Sequence, residues 1–321
     1  MSQFEFAILG AGAIGTILGA HLAEAGHSVA LIARERRASQ IERDGLRICG
    51  LREISTRAAI VVPPAQLRSA GVLIVAMKAL RTADALSALS HSDIGVSFSI
   101  QNGVMKDELL ATAFGPTRVL GAVADTSGEM LGDGEVLFTR NVNTVVGELG
   151  GGPSERATRV AKLIDSSGIR ARAADNIQNL EWSKFTAWVG LMCLSVTTRA
   201  STWKYLGDPD SALILVRLVR EVGLVTAALG IELTDQSTLP VASLCRQSEA
   251  QAVEIILEIA EEFRLKTPQH RMSTLQDLDA GRPLELDETL SYALHTANRL
   301  RVPVPLLETF TPLGQAIGRI R

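Results

Sequence analysis

A glycine-rich turn near the amino terminus constrains the fold more than any other feature of the sequence. Positions 9–15 read LGAGAIG, with glycines in the GxGxxG spacing, between a β-like run at 4–10 and a helical run at 13–26. In such a unit the glycines permit a tight turn, close approach of a pyrophosphate and close packing of the helix on the strand. The pattern predicts a dinucleotide site formed by Gly10, Ala11, Gly12, Ala13, Ile14 and Gly15.

The first half of the chain alternates β-like and helical segments. The continuous apolar run GVLIVAM at 71–77 is typical of a parallel strand covered on both faces. Further strands are predicted at 27–34, 94–100, 118–125 and 169–173, helices at 80–89 and 154–166, and an antiparallel hairpin within 134–149. This order predicts an α/β fold that begins with a Rossmann-type doubly wound sheet.

From residue 176 onward strand signals nearly vanish and helical periodicity dominates. Asp175 and Asn176 are N-cap candidates at the transition. The sequence therefore predicts an NADP-binding Rossmann-type domain over 1–175 and an all-helical substrate and catalytic domain over 176–321. Helices are expected at 176–200, 211–229, 249–263, 285–300 and 305–318.

Composition and charge exclude several classes of partner. A net charge of -3, with 46% hydrophobic and 21% charged residues, gives no reason to expect a nucleic-acid partner. Five histidines and three cysteines show no metal-ligand spacing, so no metal is expected and Cys49, Cys193 and Cys245 are interpreted as free thiols. No apolar run is long enough to span a membrane without a charge or glycine, and a cytoplasmic protein is predicted.

The end of the second strand decides which dinucleotide is expected. Arg34 occupies the position where an NAD-binding protein usually has a carboxylate for the ribose hydroxyls. A guanidinium there can bind the 2′-phosphate of NADP in a bidentate manner. Arg34 therefore favours NADP, although Glu35 could make an NAD-type contact from a solvated loop.

A lysine lies on a helical segment that is otherwise apolar nearly all round. Lys184 is near the start of LEWSKFTAWVGLMCLSV, at 180–196, where both burial and the helix dipole disfavour a cation. Its alkyl stem could cover apolar surface while the amine reaches water, or it could pair with Glu181. The same surroundings weaken the hold of an amine on its proton and suit it to act as an acid.

Five segments together resemble the ketopantoate reductase (2-dehydropantoate 2-reductase) family over most of the chain. They are ILGAGAIG, IVAMKAL, SIQNGV, EWSKF and RMSTLQDLDAGRPLEL. The resemblance implies that Lys184 is the catalytic lysine, which neutralises and protonates the oxygen that becomes negative during hydride addition. It also implies that Glu285 is catalytic, beside the nicotinamide and the substrate. A plain carboxylate in the first turn of a helix is the alternative for Glu285.

The resemblance assigns four further residues. Lys78 and Asn102 would contact the cofactor, with Asn102 also near the substrate, and Ser127 would make a backbone contact to NADP. Ser273 would hold the substrate carboxylate. An ordinary Asn-Gly turn remains the alternative for Asn102, and a turn or N-cap serine the alternative for Ser273.

The sequence departs from the family pattern on the helix that carries the lysine. The family has substrate-binding asparagines four and eight residues after it, where this chain has Trp188 and Met192. These positions share the face of Lys184, so a larger and more apolar cleft wall is expected. Loss of an amide that hydrogen-bonds a substrate hydroxyl changes substrate discrimination.

The leading hypothesis is NADPH-dependent reduction of a 2-oxo acid, most simply ketopantoate to pantoate. One alternative is another two-domain dehydrogenase of the hydroxyacid or opine type. Another is a non-catalytic NADPH-binding regulator, against which the presence of both Lys184 and Glu285 argues. The apolar helices of the second half also make a homodimer plausible.

Overall fold

The computed structural model describes residues 3–320 and has α/β architecture, as expected. The chain divides into two compact units. One runs to Asn102 and resumes over Lys106–Gln178, and the other comprises Gly103–Met105 and the residues from Asn179 onward. The predicted fold class is confirmed, whereas division into domains at residue 175 stays a prediction.

The described part of the chain up to Ala173 contains ten strands and five α-helices. The strands are β1 (Phe4–Leu9), β2 (Val29–Ile32), β3 (Leu46–Gly50), β4 (Ile54–Thr56), β5 (Ile60–Val61), β6 (Ser69–Val75), β7 (Asp93–Ser99), β8 (Gly121–Met130), β9 (Val136–Gly147) and β10 (Ala171–Ala173). The helices are α1 (Ala13–Glu24), α2 (Glu35–Asp44), α3 (Thr82–Ser87), α4 (Met105–Phe114) and α5 (Glu155–Ser166).

Parallel strands form the first sheet, in the order β5–β2–β1–β6–β7. The order reverses beside β1, where chain connections leave for opposite sides and open α/β sheets bind their ligands. Strand β1 is central, and its residues Phe6–Leu9 are buried. The carboxyl ends of β1, β6 and β7 therefore share one edge of the sheet.

A second sheet, in the order β10–β9–β3–β4 with β8 paired to β9, packs against α1. Its arrangement corrects two expectations. The segment 134–149 is not a hairpin in itself, because β9 runs unbroken through 136–147 and its antiparallel partner is β8. The strand expected at 118–125 is β8, which extends to Met130 and belongs to this second sheet.

Eight helices follow in the described part of the chain. They are α6 (Ile177–Thr198), α7 (Thr202–Leu206), α8 (Pro209–Ala228), α9 (Val241–Arg246), α10 (Glu249–Lys266), α11 (Ser273–Asp279), α12 (Tyr292–Leu300) and α13 (Pro305–Ile320). A π-helical turn, Asp287–Ser291, leads into α12, so the helix expected at 285–300 is not a single regular α-helix. The short helices α7, α9 and α11 had no counterpart in the sequence periodicity.

Close helix packing and an internal helix cap organise the second unit. A Cβ at Gly190 of α6 would lie 2.5 Å from Leu215 Cδ1 of α8, so glycine lets these helices approach. The buried Glu221 of α8 accepts hydrogen bonds from the backbone N–H groups of Leu306 and Leu307, each 2.9 Å long, at the start of α13. Burial nevertheless raises the pKa of Glu221.

Membrane-spanning helices and clusters of metal ligands are the two features to consider over residues 3–320. No helix in this range is both long and apolar enough to cross a bilayer. No group of three or more His, Cys, Asp or Glu side chains in the same range is arranged to hold a metal ion. The three cysteines are free; Cys193 is buried, whereas Cys49 and Cys245 are half-buried.

Candidate active site

The glycine turn between β1 and α1 is packed so tightly that two of its glycines admit no side chain. Gly10 has a positive φ of 106°, and a Cβ there would lie 2.7 Å from the Cβ of Met77. A Cβ at Gly15 would overlap the carbonyl oxygen of Gly10. These two residues bring the helix onto the strand and the turn onto the end of β6.

Gly12 differs from its neighbours because the space beside it is open. Apart from Gly12 itself and its two chain neighbours, no residue has an atom within 4 Å of a Cβ built on Gly12, which is the N-cap of α1. The cap provides no side-chain hydrogen bond, and the first turn of α1, from Ala13, contains no acidic residue. Free N–H groups at an uncapped helix start, next to open space, fit the pyrophosphate of a dinucleotide.

Two arginines that follow β2, Arg34 and Arg37, differ in their surroundings. Arg34 is exposed and forms the N-cap of α2, and Glu35 is exposed as well. Both side chains therefore lie at the surface after β2, where a ribose or its 2′-phosphate would be recognised.

Arg37, by contrast, is part of the framework of the glycine turn. Its Nε donates to Ala11 O at 3.1 Å and its Nη2 to Thr16 Oγ1 at 2.8 Å. Its Nη1 donates to Gly134 O and to Gln40 Oε1, both at 2.9 Å. The run RERR does not show which arginine folds back, so this role could not be read from the sequence.

Gln101 joins the carboxyl ends of β6 and β7. Its side chain is buried, donates to Thr82 Oγ1 at 2.8 Å and to Lys78 O at 3.2 Å, and accepts from Ser99 Oγ at 2.9 Å. Gln101 precedes Asn102, so this network fixes the backbone at Lys78 close to the start of the Asn-Gly turn. The side chain of Lys78 is exposed and that of Asn102 is half-buried.

Ser127 lies on β8, in the second sheet, rather than at the edge formed by β1, β6 and β7. It is exposed, and its carbonyl oxygen accepts a hydrogen bond from Thr139 Oγ1 at 3.2 Å. Register irregularities flank it, between Asp125 and Thr126 and between Ser127 and Gly128. The next residue, Gly128, packs against α1, since a Cβ there would lie 2.6 Å from Ile17 Cδ1.

Lys184 is the one residue between Leu180 and Val196 that is not buried. Its neighbours on α6 are fixed: Trp182 and Phe185 form an edge-to-face pair with ring centroids 5.7 Å apart. Ser183 donates to Asn179 O at 2.6 Å and accepts from the backbone N–H of Thr234 at 2.8 Å. The segment from Leu180 to Val196 is therefore buried except for one half-buried residue, Lys184.

Trp188 and Met192 belong to the core of the second unit. Their relative exposures are 8% and 1%, so Met192 lines no open surface. Trp188, one turn from the lysine, retains a small exposed edge. Of the two departures from the family pattern, Trp188 is nearer to Lys184 along the helix and less completely buried.

Glu285 is 7% exposed and precedes the π-helical turn. The turn is closed by a hydrogen bond from the N–H of Ser291 to Leu286 O, 2.9 Å long. Thr289 Oγ1 donates to the carbonyl oxygen of Glu285. Irregular helical turns of this kind frequently occur at functional sites.

Glu288, within the turn, is a second acidic group beside Glu285. Its Oε2 is buried without a hydrogen-bond partner, and its pKa is raised, first by burial and further by the charges of Asp287 and Glu285. A Cβ at Gly103, the residue after Asn102, would lie 3.1 Å from Glu288 O. Nothing in the sequence distinguished Glu288 from an ordinary first-turn carboxylate.

Ser273 is the exposed first residue of α11, and the N-cap position is taken by Met272. The serine is therefore not the cap of that helix. Lys184, Glu285 and Ser273 occupy three separate elements of the helical unit: α6, the segment before the π-helical turn, and α11.

Two family models match almost the whole chain. Ketopantoate reductase PanE/ApbA matches residues 6–151, and Ketopantoate reductase PanE/ApbA C terminal matches residues 176–317. The chain belongs to the ketopantoate reductase family. The resemblance inferred from five sequence segments is thereby confirmed.

Similar proteins agree with this membership. A 2-dehydropantoate 2-reductase of Archaeoglobus fulgidus is 28% identical over 280 residues, covering 87% of this chain and 86% of the relative. The crystal structure of a PanE/ApbA family ketopantoate reductase from Ralstonia eutropha JMP134 is 25% identical, with a TM-score of 0.82 and coverage of 98% of both chains. A D-mandelate dehydrogenase with NADH and anilino(oxo)acetate, 20% identical with a TM-score of 0.82 and coverage of 98% of both chains, shares the fold.

Membership makes the chain an oxidoreductase of the ketopantoate reductase family, which uses a nicotinamide dinucleotide. It therefore favours an enzyme over the non-catalytic regulator considered above. The individual site residues, a homodimer and a cytoplasmic location stay predictions.

Proposed function

We propose that this protein reduces a 2-oxo acid with NADPH, most simply ketopantoate to pantoate. The observation that carries the proposal is Lys184, the single residue of α6 between Leu180 and Val196 that is not buried. A cation on an otherwise buried segment lowers the stability of the fold, so its presence there points to a functional role. Protonation of an alkoxide is such a role.

The glycine turn and Arg34 would hold the cofactor. The open space at Gly12 and the uncapped start of α1 suit the pyrophosphate, and the exposed Arg34 suits a 2′-phosphate. Lys78, Asn102 and the backbone at Ser127 would add further contacts. When bound, NADPH supplies the hydride.

Lys184 would act as the general acid. Its ammonium would donate a hydrogen bond to the ketone oxygen, stabilise the negative charge as it develops there and then transfer its proton. Glu285 would accept a hydrogen bond from the product hydroxyl and support the charge of the lysine. Ser273 would hold the carboxylate of the substrate, and Asn102 would also lie near the substrate.

Trp188 favours a second candidate substrate, a bulkier or more apolar 2-oxo acid. An indole cannot replace both hydrogen-bonding functions of the family asparagine at this position, although it can pack against an apolar side chain. A panel of 2-oxo acids of increasing size tests this candidate. A higher kcat/KM for larger apolar acids than for ketopantoate would favour it, and the reverse would exclude it.

Replacement of Lys184 by alanine tests the proposed chemistry. We expect kcat for NADPH oxidation to fall by about 10³-fold, because general acid catalysis contributes roughly this much, with little change in the Kd for NADPH. Lys266→Ala, which removes an exposed lysine of α10, is the matched control and should retain wild-type kcat. An unchanged kcat in Lys184→Ala would refute the role of this lysine.

A further inference from the structure

Arg37 connects three parts of the first unit through its guanidinium. It reaches the glycine turn at Ala11 O, helix α1 at Thr16 Oγ1, and the loop between β8 and β9 at Gly134 O. The helix that carries it, α2, reinforces the last contact, because Gln40 Nε2 donates to Asp133 O at 2.6 Å. The β8–β9 loop therefore serves as a fixed support for the glycine turn.

The guanidinium is half-buried and its acceptors are all uncharged. Over residues 3–320 no carboxylate forms an ion pair with Arg37, and burial lowers its pKa. A buried cation without a carboxylate partner is unfavourable on its own and retains its attraction for an anion.

The contact with Ala11 fixes the direction of a neighbouring donor. In a planar trans peptide the C=O and the following N–H point in opposite directions. Because Arg37 Nε holds the carbonyl oxygen of Ala11, the N–H of Gly12 is turned away from Arg37. Gly12 is the residue with open space beside it at the start of α1.

We propose that Arg37 is a positioning residue for the cofactor, which orients the Ala11–Gly12 peptide so that the glycine turn can receive a pyrophosphate. The inference rests on the proposed function. NADPH and NADH both contain the pyrophosphate, so Arg37 supports both cofactors equally. Arg34, which is exposed, would act on the 2′-phosphate and therefore on NADPH alone.

Cofactor titrations of paired arginine variants separate these roles. We expect Arg37→Met to raise the Kd of NADPH and of NADH by the same factor, about 10- to 100-fold, which is the usual effect of losing hydrogen bonds to a charged group. Its kcat at saturating cofactor should stay within about threefold of wild type, because the reacting groups are untouched. Arg37→Lys, which keeps the charge and fewer hydrogen bonds, should recover part of the affinity.

Two control variants define the comparison. Arg34→Ala should weaken NADPH and leave the Kd of NADH unchanged. Arg43→Lys alters an exposed arginine of α2 that pairs with its neighbour Asp44, and should change neither Kd. Thermal unfolding of each variant gives the accompanying change in stability.

A variant that preserves the buried guanidinium guards against loss of folding. Thr16→Val removes, at nearly constant volume, the acceptor of Arg37 Nη2 and the 3.4 Å hydrogen bond from Thr16 Oγ1 to Ala11 O, and it leaves the bond from Arg37 Nε to Ala11 O in place. We expect both Kd values to rise about threefold, less than in Arg37→Met. In the double variant Thr16→Val/Arg37→Met the increases in Kd caused by the single substitutions should not add, because both act through one hydrogen-bond network.

Several outcomes would overturn the proposal. One is a lower unfolding temperature of Arg37→Met with unchanged Kd values, which would make the residue purely structural. Another is an effect confined to NADPH, which would make Arg37 a 2′-phosphate ligand. A wild-type enzyme that binds neither cofactor would defeat the proposed function itself, whereas tight wild-type binding with unaffected Thr16→Val and Arg37→Met variants would defeat this inference alone.

Discussion

Helix α1 of the first unit and helix α6 of the second carry the proposed cofactor-binding and acid groups, and they do so in different ways. In α1 the residues Gly15–Ala23 are buried, and the proposed functional element is the uncapped backbone at its start. In α6 the proposed functional element is one side chain, Lys184, on a segment whose other members from Leu180 to Val196 are buried. One helix offers peptide groups and the other an amine.

The difference determines how each half can vary. A backbone site needs particular glycines and is indifferent to most side chains, so its chemistry is common to any ligand that contains a pyrophosphate. A side-chain site can be altered one residue at a time, as Trp188 shows beside an unchanged Lys184. Cofactor recognition is therefore expected to be general, and substrate recognition particular to this chain.

The largest effect is expected from a methyl group at Gly15. In Gly15→Ala the new Cβ would overlap Gly10 O, so α1 must move away from β1. Overpacking of this kind costs about 3 kcal/mol or more, and cofactor binding should be lost with it. Thermal unfolding and NADPH titration measure the two consequences.

Gly12→Ala is the matched variant for that experiment. Its φ of -72° suits alanine, and no residue beyond its chain neighbours has an atom within 4 Å of the added Cβ, so stability should stay within about 0.5 kcal/mol of wild type. The methyl group would occupy the space offered to the pyrophosphate, and the Kd of NADPH should rise at least about tenfold. Equal destabilisation of both variants would contradict the assignment of separate roles to the two glycines.

A smaller effect is expected on α6, and it should depend on the substrate. Trp188→Leu removes part of a buried indole and should lower the free energy of unfolding by about 2–3 kcal/mol. If the indole contacts substrate, the ratio of kcat/KM between a large apolar 2-oxo acid and ketopantoate should change by about tenfold. The nearby volume-conserving variant Met192→Leu, at a fully buried position, should leave that ratio unchanged.

The elements that the sequence predicts well are those with strong periodicity or a required glycine. Strand β1, the glycine turn and helices α6, α8 and α10 fall where hydrophobic patterns place them. Helix α2 was not predicted because its sequence, ERRASQIERD, buries only Ile41. The alternation along 134–149 predicts an antiparallel hairpin, but one continuous strand in an antiparallel pair has the same alternation, and the partner of β9 is β8.

Candidate site residues also divide into those that leave a pattern in the sequence and those that do not. Gly10, Gly12 and Gly15 are predictable because their backbone requirements leave a spacing in the sequence. The roles of Arg37 and Gln101 depend on hydrogen bonds to carbonyl oxygens 23 to 97 positions away, and carbonyl oxygens leave no signature in a sequence. Long-range contacts of this kind become visible only once the chain is folded.

Buried titratable groups distinguish the two units in a further way. His21 of α1 donates from Nδ1 to Ser167 O at 2.9 Å, and burial lowers its pKa below the ordinary 6.5. Its contribution to stability is full above pH 6.5 and is lost as the pH falls toward the lowered value, since only the unfolded state binds the proton readily. Burial raises the pKa of Glu288 above 4.5, so its contribution is full below pH 4.5 and is lost as the pH rises through the raised value.

The smallest effects are expected in two variants, His21→Leu and Glu288→Gln. Each should change the unfolding temperature by roughly 2 °C relative to wild type at pH 7.5, in opposite directions, and each difference should shrink as the pH falls. His21→Leu loses a hydrogen bond and should be less stable than wild type at pH 7.5, and acidification to pH 5.5 should narrow that difference. Glu288→Gln should be more stable than wild type at pH 7.5, because it removes a charge from a buried site, and this advantage should disappear toward pH 4.5. Replacement of the exposed His91 by leucine is the control and should show neither trend. Parallel pH dependence in both variants would mean that global charge, rather than these two buried groups, governs the acid response of the fold.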